Sequence, residues 1–305
     1  MFTTGRLTVL SAALAATGAL VFGVAASGAS SPWPNCLGEP ATIVGTDGND
    51  TIAGTANDDV IAGLGGDDVI TTGGTGDYGD LICAGDGNDT VIVSGGGYYD
   101  YADVEGGAGD DRIQGSKGSA VQADYEISPA AVTVNLGTGT ATGWGNDTLV
   151  NVTSVWGSKF DDTLIGSARD NGIWGDAGND TITGLGGMDD LGGGPGNDML
   201  DGGTGPDLAD YWDAPSGVHV NLAKGVSSGG AGHDTLRAFE AVWGSKYADV
   251  IVGNTAANYL NGYKGNDQLF GGKGADSLYG NAGKDRADGG PQRDVCSAER
   301  KIHCP

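Results

Sequence analysis

The sequence predicts an all-β solenoid, a flattened coil of short strands and tight turns with two nine-residue blocks per revolution. Three observations predict it. Gly recurs at every ninth residue through two long stretches, an Asp or Asn stands sixth in each block, and an apolar residue stands eighth. One array starts at Gly157 and runs through 166, 175, 184, 193 and 202; the other starts at Gly244 and runs through 253, 262, 271, 280 and 289. The sixth positions are Asp162, Asn171, Asp180, Asp189, Asp198 and Asp207, then Asp249, Asn258, Asp267, Asp276, Asp285 and Asp294. Only 40 of the 305 residues are acidic, so ten Asp and two Asn in twelve fixed slots reflect position, not composition.

The chemistry of one block accounts for its residues. Gly at positions one, two and four permits positive φ, so the chain reverses tightly with its carbonyls turned inward. Asp at position six sets a carboxylate in the same concavity. The three residues around position eight suffice for a short strand with one side chain in and its neighbours out. Blocks 18 residues apart then stack on one edge at the strand spacing of about 4.8 Å.

Along the chain, residues 1–29 read as a cleaved signal peptide: Arg6 precedes an apolar run from Leu7 to Ala26, and small residues follow, with cleavage after Ala26 or Ala29. A run of this length could also span a bilayer, but its small residues and cleavage-like end favour export. No membrane span is expected after cleavage. Residues 30–122 form an irregular array. Clean blocks at Gly45, Gly54 and Gly63 carry Asp50, Asp59 and Asp68, and blocks interrupted by insertions follow around Asp89 and Asp111. Residues 123–208 are the first copy of an 86-residue unit, ending in six nonapeptides. Residues 209–305 are the second, ending in six more and a cap: "ADYEISPAAVTVNL" at Ala123 matches "ADYWDAPSGVHVNL" at Ala209. The alternating Val132, Val134, Leu136 and Val218, Val220, Leu222 read as strands that continue the sheet as wider rungs, with Trp156 and Trp243 over an edge. Four cysteines fit an oxidising compartment and allow three pairings. Local pairing, Cys36 with Cys83 and Cys296 with Cys304, would staple both ends.

The chain has 15 Lys and Arg against 40 Asp and Glu, a formal charge of -25. Such a polyanion lacks the basic patches that nucleic acid and anionic membranes require. Stacked carboxylates repel unless a cation lies between them, and Ca²⁺ accepts a mixed carboxylate and carbonyl set better than Mg²⁺. Candidate ligands are Asp50, Asp59, Asp68, Asp89, Asp111, Asp162, Asp180, Asp189, Asp198, Asp207, Asp249, Asp267, Asp276, Asp285 and Asp294. Roughly ten ions, about +20 of charge, would nearly offset the deficit.

Blocks such as "GDAGNDTIT", "GGPGNDMLD" and "GGKGADSLY" resemble the RTX, or hemolysin-type, calcium-binding repeat, from about Gly45 to Asp294. The resemblance implies a right-handed parallel β-roll with Ca²⁺ held between turns by the sixth-position Asp and turn carbonyls. Departures fall at the opening of each array, where Phe160, Arg169, Tyr247 and Ala256 replace the fourth-position Gly and Asn171 and Asn258 replace Asp; Gln292 departs in the last block. Weak or no binding is expected in those opening rungs.

Many relatives carry a catalytic domain, but here HExxH is absent and the three histidines, His219, His233 and His303, are scattered. "GVSSG" around Ser227 matches the hydrolase elbow, yet the other copy has Ala141 in the nucleophile slot, so an RTX-linked hydrolase is the weaker reading. No enzyme is expected. The sequence points to a secreted calcium-binding protein that folds on Ca²⁺ after export, in a structural or surface role. The alternative is an extracellular module binding polysaccharide or another cell-surface component through Tyr98, Tyr99, Tyr101, Trp144 and Trp212.

Overall fold

The computed structural model describes residues 34–74, 79–95 and 101–304. The proposed signal peptide, Tyr98 and Tyr99 lie outside them. Strand is the only regular secondary structure among the described residues, mostly in pieces of three residues, and no helix there is long and apolar enough to cross a membrane. The chain divides into two compact units, residues 1–121 and 122–305.

Each unit is a parallel β-solenoid. In the first, Val60–Ala62 pairs with Ile43–Val44 and with Asp80–Asp86 on one side of the coil, while Thr51–Ala53, Val69–Thr71, Thr90–Val93 and Arg112–Gly115 form the other. An antiparallel pair, Asn35–Cys36 with Glu39–Pro40, precedes them. Cys36 is fully buried among Ala41, Val60 and Ala62 and is bonded to Cys83 across a Cα separation of 5.5 Å.

In the second unit the register is the 18-residue step of the sequence: Ile182 pairs with Leu200, Leu191 with Ala209, Ile251 with Leu269 and Leu260 with Leu278. Inward side chains therefore stack like on like. Leu164, Ile173, Ile182, Leu191, Ile251, Leu260, Leu269 and Leu278 are wholly inaccessible to solvent, a one-residue-wide core in each sheet. Burial of each stabilises by about 1.5–3 kcal/mol before the entropy of ordering is subtracted. Cys296 pairs with Cys304 in the last turn.

The non-repetitive halves join the sheet in a way that alternating apolar residues alone did not reveal. Thr133–Asn135 does pair in parallel with Thr163–Ser167, but it also starts an antiparallel meander through Thr140–Thr142 to Asn146–Val150. Val218–Asn221 does the same with Val226–Gly229, which returns to Thr235–Arg237. Trp156 and Trp243 stand inside the strands Ser154–Trp156 and Ala241–Trp243, each paired on both sides, and cover no edge.

Candidate metal centre

Sixth-position carboxylates line up along the turns and are hydrogen-bonded in a ladder. Oδ1 of each accepts the backbone N–H of the sixth residue one revolution earlier. Asp180 takes Asp162 at 2.7 Å, Asp198 takes Asp180, Asp207 takes Asp189, Asp267 takes Asp249, and Asp294 takes Asp276, the last four at 2.9 Å. In the first unit Asp68, Asp89 and Asp111 take Asp50, Asp68 and Asp89. The fifth residues form a second ladder in the opposite sense: Asn179 N–H donates to Asp161 and Asn197 N–H to Asn179. This explains the recurring Asn-Asp pair.

The second oxygen divides the rungs into two kinds. In the closed kind, position two is Thr46, Thr55, Ser158, Ser167, Ser245 or Asn254, and none of these takes a positive φ. Its backbone N–H then donates to the sixth residue at 2.5–2.7 Å: to Oδ2 of Asp50, Asp59, Asp162 and Asp249, and to Oδ1 of Asn171 and Asn258. The Ser158 and Ser245 hydroxyls add a bond to Oδ1 at 2.8 Å. The Asn rungs close fully, because Nδ2 of Asn171 and Asn258 donates to Thr153 and Glu240 carbonyls.

In the open kind, position two is left-handed. It is Gly194, Gly203, Gly272 or Gly290 in some blocks, and Leu64, Asp176, Leu185, Tyr263 or Asn281 in others. A side chain held at positive φ costs roughly 1–2 kcal/mol, and such strain gathers at functional sites. Oδ2 of Asp68, Asp89, Asp180, Asp189, Asp198, Asp207, Asp267, Asp276, Asp285 and Asp294 is buried with no hydrogen-bond partner. Asp111 lies in a block of the same form, with Gly107 and Gly109 at positive φ.

At Gly63, Gly175, Gly184, Gly202 and Gly271, first in their blocks, a Cβ would collide with the block's own Oδ2 and with a carbonyl of the next revolution. At Gly175 these are Asp180 and, 2.6 Å away, the Gly193 carbonyl; at Gly184 they are Asp189 and, again at 2.6 Å, the Gly202 carbonyl. Among the described residues no three His, Cys, Asp or Glu side chains converge. A set of one or two carboxylates with main-chain carbonyls fits a hard cation that takes six to eight oxygens.

Electrostatics agree with that donor set. Burial pushes Asp180 up to about 8 and Asp198 and Asp267 to about 7, helped by the stacked neighbouring carboxylates and opposed by the ladder N–H. Asp89 and Asp189 rise to about 6 for the same reasons. Clustered charge in a half-dry groove favours either a proton or a cation.

Three carboxylates that nonapeptide counting missed, Asp234, Glu240 and Glu299, occupy the ladder. Asp234, held by Ser227 Oγ and Tyr211 Oη, accepts Asp198 N–H at 3.1 Å. Asp147 is held in the same way by Tyr125. Both sit in strings, "GWGNDTL" and "GAGHDTL", that keep the Gly-x-Gly-x-Asp-x-Leu spacing and could have been found by it. Glu240 and Glu299 accept the N–H of Asp207 and Asp285 where the repeat is interrupted or ends, and no spacing announces them. Ser227 is buried against Asp234. Of the aromatics, Tyr101, Trp144 and Trp212 are half-buried.

Residues 44–79, 103–119, 156–191, 192–209, 243–278 and 265–296, more than half of the chain, match the family described as RTX calcium-binding nonapeptide repeat (4 copies). No curated protein matches the chain.

Proposed function

This chain belongs to the RTX calcium-binding nonapeptide repeat family, and from that premise we propose a secreted protein whose open rungs fold around Ca²⁺ after export, in a structural or surface role without catalysis. Calcium binding by the repeats and the β-solenoid are family properties; the assignment of residues, export and role are the proposal.

Asp68, Asp89, Asp111, Asp180, Asp189, Asp198, Asp207, Asp267, Asp276, Asp285 and Asp294 would hold the ions, together with carbonyls of the turns. Asp50, Asp59, Asp162 and Asp249 would not, since their second oxygen already accepts a backbone N–H. The observation that carries this is the row of buried Oδ2 atoms without partners. A buried acceptor left unpaired costs about 1–3 kcal/mol, and a row of them marks a fold completed by a cation. Bound Ca²⁺ supplies charge neutralisation and cross-links successive turns. Because extracellular modules bind at about 10⁻⁴–10⁻³ M, the chain would stay unfolded in the low calcium of the cell and fold outside, binding energy serving as folding energy. Two disulfides suit that compartment.

Far-UV circular dichroism of residues 30–305 during a Ca²⁺ titration tests this, with Mg²⁺ as control. A cooperative gain of β signal on Ca²⁺ alone is expected. A coil fully formed in chelator, or indifferent to Ca²⁺, overturns it.

One observation favours the polysaccharide-binding alternative. Trp174 stacks on Trp156 with ring centroids 5.7 Å apart, and packs so closely on Gly172 and Gly192 that a Cβ at either would collide with it. Neither glycine belongs to the repeat pattern, so the space they leave serves the indole. Retention on insoluble polysaccharide that Trp174→Ala abolishes is the outcome this reading requires.

A further inference from the structure

Charge is unevenly spread in this anionic chain: seven of its 15 Lys and Arg lie between Lys264 and Lys301. Three of them meet at the last turn of the second unit, where Lys284, Arg286 and Arg300, with Asp285 and Glu299, line an open depression of about 510 Å³.

Arg286 and Arg300 are register partners on neighbouring parallel strands, Arg286–Asp288 and Arg300–Ile302. Like charges facing each other at strand spacing, about 4.8 Å, are destabilising. The nearby acids relieve them only in part. Glu299 is engaged with Asp285 N–H at 2.7 Å, and Asp285 Oδ1 accepts Asp267 N–H. Asp288 is 3.8 Å from Arg286 and shared with His303, which it binds at 2.8 Å. Among the described residues neither Lys284 nor Arg300 forms an ion pair, and Arg286 Nε is buried without a partner. The Arg286 guanidinium lies 5.3 Å over the Phe270 ring, which fixes its plane. A fixed guanidinium beside a second Arg and a Lys is the donor set that recognises a tetrahedral or planar oxyanion through paired N–H bonds.

We propose that this depression in the C-terminal cap binds a single oxyanion group, a sulfate, phosphate or carboxylate, free or carried at the end of a larger molecule. The -25 of the whole chain restricts the ligand to one that presents its charge at a point, since a long polyanion would be repelled along the rest of its length. The site borders the calcium assignment, since Asp285 lines it and is also a proposed metal ligand, but none of its three cations is one, and the titration is therefore made on the calcium-saturated chain.

Isothermal titration of the calcium-saturated full chain with sodium sulfate, and separately with a monosaccharide sulfate ester, tests it at low ionic strength. A dissociation constant on the order of 1 mM or tighter is expected, weakened at least tenfold by Arg286→Gln and by Arg300→Gln and unchanged by Lys224→Gln. Circular dichroism reports whether each variant keeps the fold; if Arg286→Gln loses it with the Phe270 contact, the exposed Arg300→Gln decides. Equal affinities for the two probes assign the site to the free ion, and tighter binding of the ester assigns it to a sulfated end group. Absence of sulfate binding at 10-fold above that concentration, or equal binding by Arg300→Gln, overturns the proposal.

Discussion

A carboxylate has two acceptor oxygens, and in this coil the residue four positions earlier decides the fate of the second. Where Ser245 turns its N–H and hydroxyl onto Asp249, both oxygens are engaged inside the chain. Where Tyr263 is left-handed, Asp267 Oδ2 is buried with no hydrogen-bond partner. Asp267→Asn should therefore raise the Ca²⁺ midpoint of folding and lower the stoichiometry, while Asp162→Asn leaves the stoichiometry of the folded chain unchanged; calorimetry separates the two. The natural amides give a converse test. Asn171 accepts Ser167 N–H and donates to Thr153. Asn171→Asp replaces that donor with an acceptor facing a carbonyl and should cost about 1–3 kcal/mol. Urea unfolding at saturating Ca²⁺ measures it, and an unchanged midpoint would refute the closed-rung account.

At the scale of the element, each rung is a turn and a three-residue strand that holds one apolar side chain inward. Leu269 has Ile251 and Ala287 above and below it in register and is inaccessible to solvent. Leu269→Ala should destabilise the calcium-loaded coil by about 2–5 kcal/mol, because neighbours in a stacked column cannot close the gap sideways. The surface-facing Gln268→Ala should change urea stability by no more than about 0.5 kcal/mol. This layer was legible in sequence because each requirement recurs at a fixed place: Gly at one where Oδ2 and a carbonyl converge, Asp at six for the ladder, Leu or Ile at eight for the core. What counting by nines passed over breaks the period, although the local string around Asp234 keeps the repeat's spacing. Asp234 reaches the ladder 36 residues after Asp198 instead of 18, because an antiparallel meander intervenes. Glu240 and Glu299 do so with a longer side chain from irregular segments. Nor does composition show which second residues are left-handed. Asn254 closes its rung, whereas Asn281 adopts φ 63° and leaves Asp285 open.

At the scale of the molecule, stacked buried acids couple folding to protons as well as to calcium. Asp180, Asp198 and Asp267 have folded values near 8, 7 and 7 against an ordinary 3.8, raised first by burial. A carboxyl whose folded value exceeds its unfolded one binds its proton more tightly in the fold, so ∂ΔG_unfold/∂pH is negative between the two. Without metal, the coil is most stable in acid and loses stability as pH rises from about 4 to about 8, the reverse of a protein held by ordinary ion pairs. Full-length protein in chelator should therefore gain β signal as pH falls from 8 to 5. Raising KCl to 1 M at pH 8 should restore only the part due to long-range repulsion among surface charges, since buried neighbours are poorly screened. With Ca²⁺ present the dependence inverts: ions must displace these protons, so the calcium midpoint should rise as pH drops below about 7. A metal-free chain equally unfolded at pH 5 and pH 8 would mean that the open carboxylates are hydrated in the apo state. Calcium would then act by capturing an already charged, expanded chain, and the buried row of Oδ2 atoms would form only as the ions enter.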